Sequence, residues 1–236
     1  MLLAIETSSL VSSVALLHEQ TLRAELTIQA RLTHSEQLMP HIADMLEKAS
    51  VPKTAIDAVA VSIGPGSFTG LRIGMASAKG LSFGWNVPLI GIETPTALAW
   101  NFIGAKDPVC VLIDAQKGNV YMSLYEWQGM HLQELEPVQV APLTEVLAQL
   151  ETLGKAVVFC GDGSLLGRTQ IEAASPQFRL APPTMVIPRA GSLALAADER
   201  YSRQDVADCM TLTPAYKRRS EAAAPWETRN ARALWL

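Results

Sequence analysis

The sequence is short of the residues that mark several large classes of protein. It has only three cysteines, Cys110, Cys160 and Cys209, an odd number spread far apart along the chain. A disulfide-stapled secreted framework is therefore excluded, and we expect free thiols in a reducing compartment, with Cys110 and Cys160 buried in strand-like runs. Basic residues do not exceed acidic ones, and the net charge is −4. Bulk charge therefore does not favour binding to nucleic acid.

Long apolar runs are also missing. No stretch approaches the roughly 18 apolar residues that a membrane helix requires. The opening segment, MLLAIETSSL, has neither the basic start nor the long apolar centre of a signal peptide. We therefore expect a cytoplasmic protein with no membrane segment.

Metal-ligand patterns are scarce as well. The chain has four histidines, and His34 and His41 are seven residues apart, two helical turns rather than the one turn of an i, i+4 ligand pair. No local signature marks a catalytic cysteine, and no GxSxG elbow is present. We expect no metal, no cofactor and no catalytic residue from these patterns.

What the chain does have is a doubled order of elements. Apolar residues make up 49% of the sequence, enough for a sizeable core. The first half predicts a strand at LLAIETS, a hairpin over 11–28 with a Glu19-Gln20 turn, and a helix over 33–50 that contains Pro40. A strand over 55–64, a helix over 68–84, the strand VPLIGIE and a short helix follow.

The second half repeats this order. It predicts strands over 108–115, 119–127 and 130–140, a helix over 142–151, a strand over 155–163 and a helix over 190–201. The two halves share an order of elements but no clear sequence repeat. We place the boundary near Gly104–Asp107, giving units 1–105 and 106–221, and assign nothing to the tail 222–236.

A glycine-rich loop, GPGSFTG at 64–70, lies between a strand and a helix. This is where a helix N-terminus can bind an anion. However, Leu71 and Arg72 follow the last glycine where a P-loop needs lysine and a hydroxyl, and the order of glycines is not GxGxxG. A tight turn with Ser67 as helix cap is the favoured interpretation, and a phosphate cradle remains the alternative.

The helix after this loop is apolar nearly all round. One side carries Gly70, Gly74, Ser77, Ala78 and Leu81, and Ile73, Ala76, Gly80 and Phe83 cover much of the other. Such a helix must be covered on both sides. One side can face the sheet, and the other needs a neighbouring helix or a partner protein. A thoroughly buried core helix fits the same pattern.

Two further features suggest sites without specifying them. Asp114 ends a buried strand, and Gly161-Asp162-Gly163 follows another. Each segment either forms a turn or contacts a ligand. The basic cluster Lys217, Arg218 and Arg219 is either a solvated tail or a patch that faces tRNA.

Several segments together resemble the bacterial TsaB family, also called YeaZ. They are LLAIETSS, THSEQLMPHI, SIGPGSFTGLRIGMASAKGL, PLIGIETPTALA, VLIDAQKGNVY, FCGDG and TPAYKRRSEA, in the family's order over about residues 1–222. The resemblance implies an α/β fold of two tandem actin- and sugar-kinase-like (ribonuclease-H-like) lobes. It also implies a role in threonylcarbamoyladenosine modification of tRNAs that read codons starting with A.

The resemblance further implies a noncatalytic protein that binds TsaD, works with the ATPase TsaE, forms a homodimer when alone and meets tRNA only through the complex. In the family a bundle of the two N-lobe helices contacts TsaD. The matching positions predicted to bind the partner are His34, Leu38, His41, Ile42, Met45, Gly70, Leu71, Gly74, Met75, Ser77, Ala78 and Leu81. A second prediction assigns nucleotide binding to Thr7, Ser8, Asp114, Gly161, Asp162 and Gly163.

The chain departs from the active members of this superfamily at one telling place. Glu6-Thr7-Ser8-Ser9 stands where those members carry an Asp-x-Gly-type phosphate loop, and a bare glutamate repels phosphate unless a metal ion intervenes. We therefore expect a degenerate site. The alternative is a nucleotide-dependent phosphotransferase or a glycoprotease-like hydrolase.

Overall fold

The computed structural model describes residues 1–29 and 34–215, and the first half of the chain forms one sheet with its helices. In order these are β1 (Leu2–Glu6), β2 (Val11–His18), β3 (Thr21–Gln29), α1 (His34–Lys48), β4 (Ala58–Gly64), α2 (Phe68–Trp85), β5 (Leu89–Glu93) and α3 (Thr94–Ala99). We call this unit the first lobe.

The second half forms another sheet, and we call this unit the second lobe. Its elements are β6 (Val109–Asp114), β7 (Asn119–Gln128), β8 (His131–Pro142), α4 (Leu143–Glu151), β9 (Val157–Cys160), α5 (Asp162–Leu166), α6 (Arg168–Ala174), β10 (Phe178–Leu180) and α7 (Ala190–Ser202). The sequence predicted these strands up to β9 as well as α4 and α7, but not α5, α6 or β10.

The two sheets have the same topology. The first has the order β3-β2-β1-β4-β5, and the second, read from its other edge, has the order β8-β7-β6-β9-β10. In each sheet the first three strands in sequence pair antiparallel, the fourth pairs in parallel with the first, and the fifth pairs in parallel with the fourth. The predicted α/β fold of two tandem lobes is confirmed.

Alternating side chains on the central strands divide the molecule into three apolar cores. Leu2 and Ala4 of β1 point into a core shared between the two sheets, whereas Leu3 and Ile5 point into a core under α1 and α2. The matching outer face of the second sheet packs against α4 and α6. Because both faces of each sheet are covered, the central strands read as continuous apolar runs.

The end of the described chain returns to the first lobe. Helix α7 follows the second sheet in sequence, yet it packs on β1, β2 and β5 and contributes to the shared core. Residues 205–215, which we call the strap, then pair with the first sheet: the Ala207 amide donates to the Leu89 carbonyl and the Ala215 amide to the Ile63 carbonyl, both at 2.7 Å. The boundary between the two sheets therefore lies near residue 105. Helix α7 and the strap come after that boundary in sequence but pack on the first lobe.

The three cysteines are free, and Cys110 and Cys160 are buried, as the sequence predicted. Cys110 and Cys160 are buried and unpaired, and Cys209 is half-buried and unpaired. Burial raises the pKa of the Cys110 and Cys160 thiols, so both stay protonated and inert. No helix within the described ranges has the length and apolarity to cross a membrane. Several positions named above lie outside the described residues: residue 33, where the first predicted helix begins, Lys217, Arg218, Arg219 and the tail 222–236.

Candidate functional site

The glycine-rich loop leads directly into α2, as the sequence predicted. Ser67 caps the helix, and its Oγ accepts a hydrogen bond from the Gly70 amide at 3.2 Å. The Ser67 amide in turn donates to the Ser8 carbonyl at 2.6 Å. A Cβ placed on Gly66 would lie 2.2 Å from that same carbonyl, so the position accommodates only glycine. The loop is thus locked onto the turn that follows β1.

The first two helix glycines face inward, not outward. A Cβ on Gly70 would lie 2.0 Å from the Thr7 carbonyl oxygen, and one on Gly74 would lie 2.2 Å from Thr7 Oγ1. Thr7 Oγ1 donates to the Gly70 carbonyl at 2.9 Å, which closes the contact. The resemblance implied that Gly70 and Gly74 bind the partner, and this is corrected: their close neighbour is the turn after β1 in the same chain.

Most of the other residues predicted to bind a partner are also buried inside the chain. Those on α1 and α2 that lie in the core are Leu38, Ile42, Met45, Leu71, Met75, Ala78 and Leu81. They face inward because the sheet covers the side of each helix that carries its larger apolar residues. Only His41 and Ser77 of the set are half-buried and reach the surface. The side chain of His34 lies outside the described residues.

The outward face of α2 is the side that carries Ala76 and Gly80, opposite the side that carries Gly70 and Gly74. Ala76, Gly80 and Gly84 are exposed at four-residue spacing, and nothing lies within 4 Å of a Cβ added to either glycine. Phe83 is 75% exposed beside them. The signal that could have identified this face is Arg72, because it precedes Ala76 and Gly80 at the same spacing and is itself exposed.

Helix α1 packs beside α2 and adds its own outward residues. Met39 is exposed, as are Pro40 and Ala43. Pro40 lies within the helix, as predicted, and is exposed. The two packed helices thus carry a set of exposed small and apolar residues, which we call the helical face: Met39, Pro40, Ala43, Ala76, Gly80, Phe83 and Gly84.

A second concave feature, the interlobe cleft, opens between the two sheets. Its volume is about 1000 Å³, and both lobes line it. Of the residues predicted to bind nucleotide, Ser8, Asp114 and Asp162 line this cleft. Thr7, Gly161 and Gly163 are buried behind it. A Cβ on Gly161 would lie 2.2 Å from the Leu112 carbonyl oxygen, so this glycine serves the close packing of β6.

The two carboxylates of the cleft are linked by the backbone. Asp162 Oδ1 accepts from the Asp114 amide at 3.0 Å, and Asp114 Oδ1 accepts from the Gln116 amide at 2.8 Å. Partial burial raises the pKa of the Asp162 carboxyl. Within the described part of the chain, no three His, Cys, Asp or Glu side chains come together to hold a metal ion.

Glu6, at the end of β1, is fully buried. Its Oε1 accepts from the Ser8 amide at 2.6 Å and from Ser62 Oγ at 3.1 Å. Its Oε2 has no partner among the described residues. Burial raises the pKa of the Glu6 carboxyl, against the opposing effect of these hydrogen bonds. The carboxyl therefore holds the turn after β1 and is absent from the cleft wall.

Comparison with known proteins places the chain in a family. A family model described as "TsaD: tRNA N6-adenosine threonylcarbamoyltransferase" matches residues 27–226. The tRNA threonylcarbamoyladenosine biosynthesis protein TsaB of Bacillus subtilis is 31% identical over 95% of this chain and 97% of its own length. The chain belongs to the TsaB family.

Further relatives agree with this assignment. The TsaB protein of Escherichia coli is 38% identical over 54% of this chain and 58% of its own length. YeaZ from Pseudomonas aeruginosa, a solved structure, has a TM-score of 0.78 at 28% identity and covers 91% of this chain and 98% of its own. TsaB membership and the two-lobed fold are thus established by independent comparisons.

Proposed function

We propose that this chain acts in tRNA threonylcarbamoyladenosine biosynthesis as a noncatalytic partner of a TsaD-type threonylcarbamoyltransferase. The observation that carries the proposal is the helical face, where exposed small residues flank Phe83. Small residues allow the backbones of two helices to approach closely, and an exposed aromatic side chain supplies an anchor. The names of the TsaB relatives supply the pathway.

The proposal includes the other partners that the sequence suggested. TsaE joins the complex, tRNA is reached through TsaD, and the helical face pairs two copies of this chain when TsaD is absent. Competition follows from this arrangement, because one surface serves both partners. The free buried thiols fit a cytoplasmic location.

Binding calorimetry with the TsaD-type protein of the same organism tests the helical face. We expect a one-to-one complex for the wild-type chain and at least tenfold weaker binding for Phe83→Asp, because the charge cannot be desolvated in an apolar contact. Leu166→Asp is the matched control: Leu166 is 74% exposed but lies on the second lobe. Equal binding by wild type and Phe83→Asp, or no complex at all, would overturn the assignment of this face.

The second candidate function is the nucleotide-dependent phosphotransferase or hydrolase. The observation in its favour is the interlobe cleft, which brings Asp114 and Asp162 together on one wall. ATP turnover by the isolated chain that disappears in Asp114→Ala would support it. The noncatalytic proposal expects no turnover above buffer in either protein.

A further inference from the structure

The strap carries an exposed side chain, Met210, that is not part of the helical face. Between its two bonds to the first sheet, residues 208–212 form a tight turn organised by Asp208. Asp208 Oδ1 accepts from the Met210 amide at 2.8 Å. The Asp208 carbonyl accepts from the amides of Thr211 and Leu212 at 3.1 and 3.0 Å. The backbone of this turn is therefore fixed from within.

The same turn is anchored to the lobe by its flanking side chains. Cys209 and Leu212 pack against the core under α1 and α2. Leu212 fills the space above Gly91 of β5, where an added Cβ would lie 3.1 Å from its Cδ1. Met210, between these two anchors, is 74% exposed. A long apolar side chain is thus held on the surface by a backbone that has little freedom to withdraw it.

The position of Met210 relative to α2 is set by a direct contact. Lys79 Nζ donates to the Met210 carbonyl at 3.3 Å, and Lys79 lies four residues before Phe83, one helical turn away. Among the described residues of the first lobe and strap, Phe83 and Met210 are the two most exposed large apolar side chains. The strap therefore lies beside the C-terminal half of α2.

We infer that the strap is a third element of the partner surface, and that Met210 contacts an apolar side chain of the same TsaD-type partner that covers Phe83. This inference rests on the proposed function. A methionine adapts to irregular apolar surfaces, and a backbone fixed before binding loses little entropy on association. The Lys79 contact favours one partner over two, because it holds the strap beside the helix that carries Phe83.

Binding calorimetry against the TsaD-type protein can separate this inference from the proposed function. The test variant is Met210→Asp, with Met210→Gln as a milder version that keeps the side-chain length. The matched control is Met130→Asp, since Met130 is 72% exposed on the hairpin between β7 and β8 of the second lobe. We expect about tenfold weaker binding for Met210→Asp, a smaller loss for Met210→Gln, and less than a twofold change for Met130→Asp.

Phe83→Asp distinguishes the two ways in which the test can fail. If Phe83→Asp weakens the complex and Met210→Asp does not, the strap lies outside the partner surface and the helical face stands. If neither weakens it, or wild type does not bind, both the inference and the helical face are wrong. A loss equal to that of Met210→Asp in Met130→Asp would also overturn the inference. Unfolding curves on all variants check that exposed substitutions leave the fold intact.

Discussion

At the residue scale, Glu6 is a buried carboxyl that holds the turn after β1. Its Oε1 receives two hydrogen bonds, and its Oε2 receives none from the described residues. Burial raises its pKa in the folded state. The protonated form is therefore favoured by folding, and its contribution to stability is fully present below the pKa of the unfolded chain. That contribution declines as pH rises through the folded pKa.

Glu6→Gln should remove this pH dependence. We expect the free energy of unfolding of the variant, minus that of wild type, to increase as pH rises from about 4.5 and then to level off. Each unit by which burial raises the Glu6 pKa adds about 1.4 kcal/mol to this difference. Urea unfolding of both proteins between pH 4 and 8 measures it. A difference that is constant with pH would show that Glu6 ionises equally in both states.

At the element scale, α2 contains two kinds of glycine that the sequence does not tell apart. Gly74 faces Thr7 and Gly80 faces open space. Gly74→Ala should lower the free energy of unfolding by about 1–3 kcal/mol, because the new methyl group overlaps Thr7 Oγ1. Gly80→Ala should raise it by about 0.5–1 kcal/mol, because alanine favours a helix and meets nothing. Guanidinium melts of both variants make the comparison, and equal effects would contradict the inward orientation of Gly74.

The hairpin between β2 and β3 offers a second prediction for an element. Its two-residue turn places Glu19 at φ 48° and Gln20 at φ 61°, a left-handed backbone that neither residue favours. The sequence predicted the turn in spite of this unfavourable pair. Replacing the pair with Asn-Gly should raise the free energy of unfolding by about 1 kcal/mol, since that pair is preferred in such turns. An unchanged midpoint in thermal unfolding would mean that the turn bears no strain.

At the scale of the whole molecule, a cluster of polar contacts joins α7 to the first sheet. We call it the clasp, and it consists of Ser13, Glu25, Arg189, Ala190 and Gly191. The Glu25 carboxylate of β3 pairs with Arg189 and accepts from the Gly191 amide at 3.2 Å at the start of α7. Ser13 Oγ, on β2, accepts from the Ala190 amide at 2.9 Å. No side chain of α7 itself caps the helix, so Glu25 supplies the negative charge that its N-terminus favours.

Glu25→Ala should therefore weaken the contact between α7 and the first sheet. We expect a loss of about 1–3 kcal/mol in the free energy of unfolding, because the Gly191 amide and Arg189 lose a largely buried acceptor. Asp107→Ala breaks a surface pair with Arg179 at 3.7 Å and should change stability by less than about 0.5 kcal/mol. Denaturant unfolding monitored by tryptophan fluorescence compares them, and a loss in Asp107→Ala as large as in Glu25→Ala would mean that the clasp has no special role.

The sequence by itself determined the repeated order of elements, the strands of both sheets up to β9, the cap at Ser67 and the free thiols. These follow from local pattern: apolar strand runs, helical spacing and a serine before a helix are all visible in neighbouring residues. The glycine string and the motifs around it also led to the TsaB family, which the comparisons confirmed. The short elements α5, α6 and β10 were missed because their segments carry no clear period.

Only the tertiary structure decided which side of α2 faces the sheet. Both sides are mostly small or apolar, so amphipathic pattern could not choose between Gly74 and Gly80, and the approach of Thr7 settled it. The return of α7 and the strap to the first lobe was likewise invisible along the chain. It depends on contacts between residues more than a hundred positions apart, such as Ala207 with Leu89 and Gly191 with Glu25. Each of these contacts pairs a backbone amide from the C-terminal part of the chain with an oxygen acceptor of the first lobe.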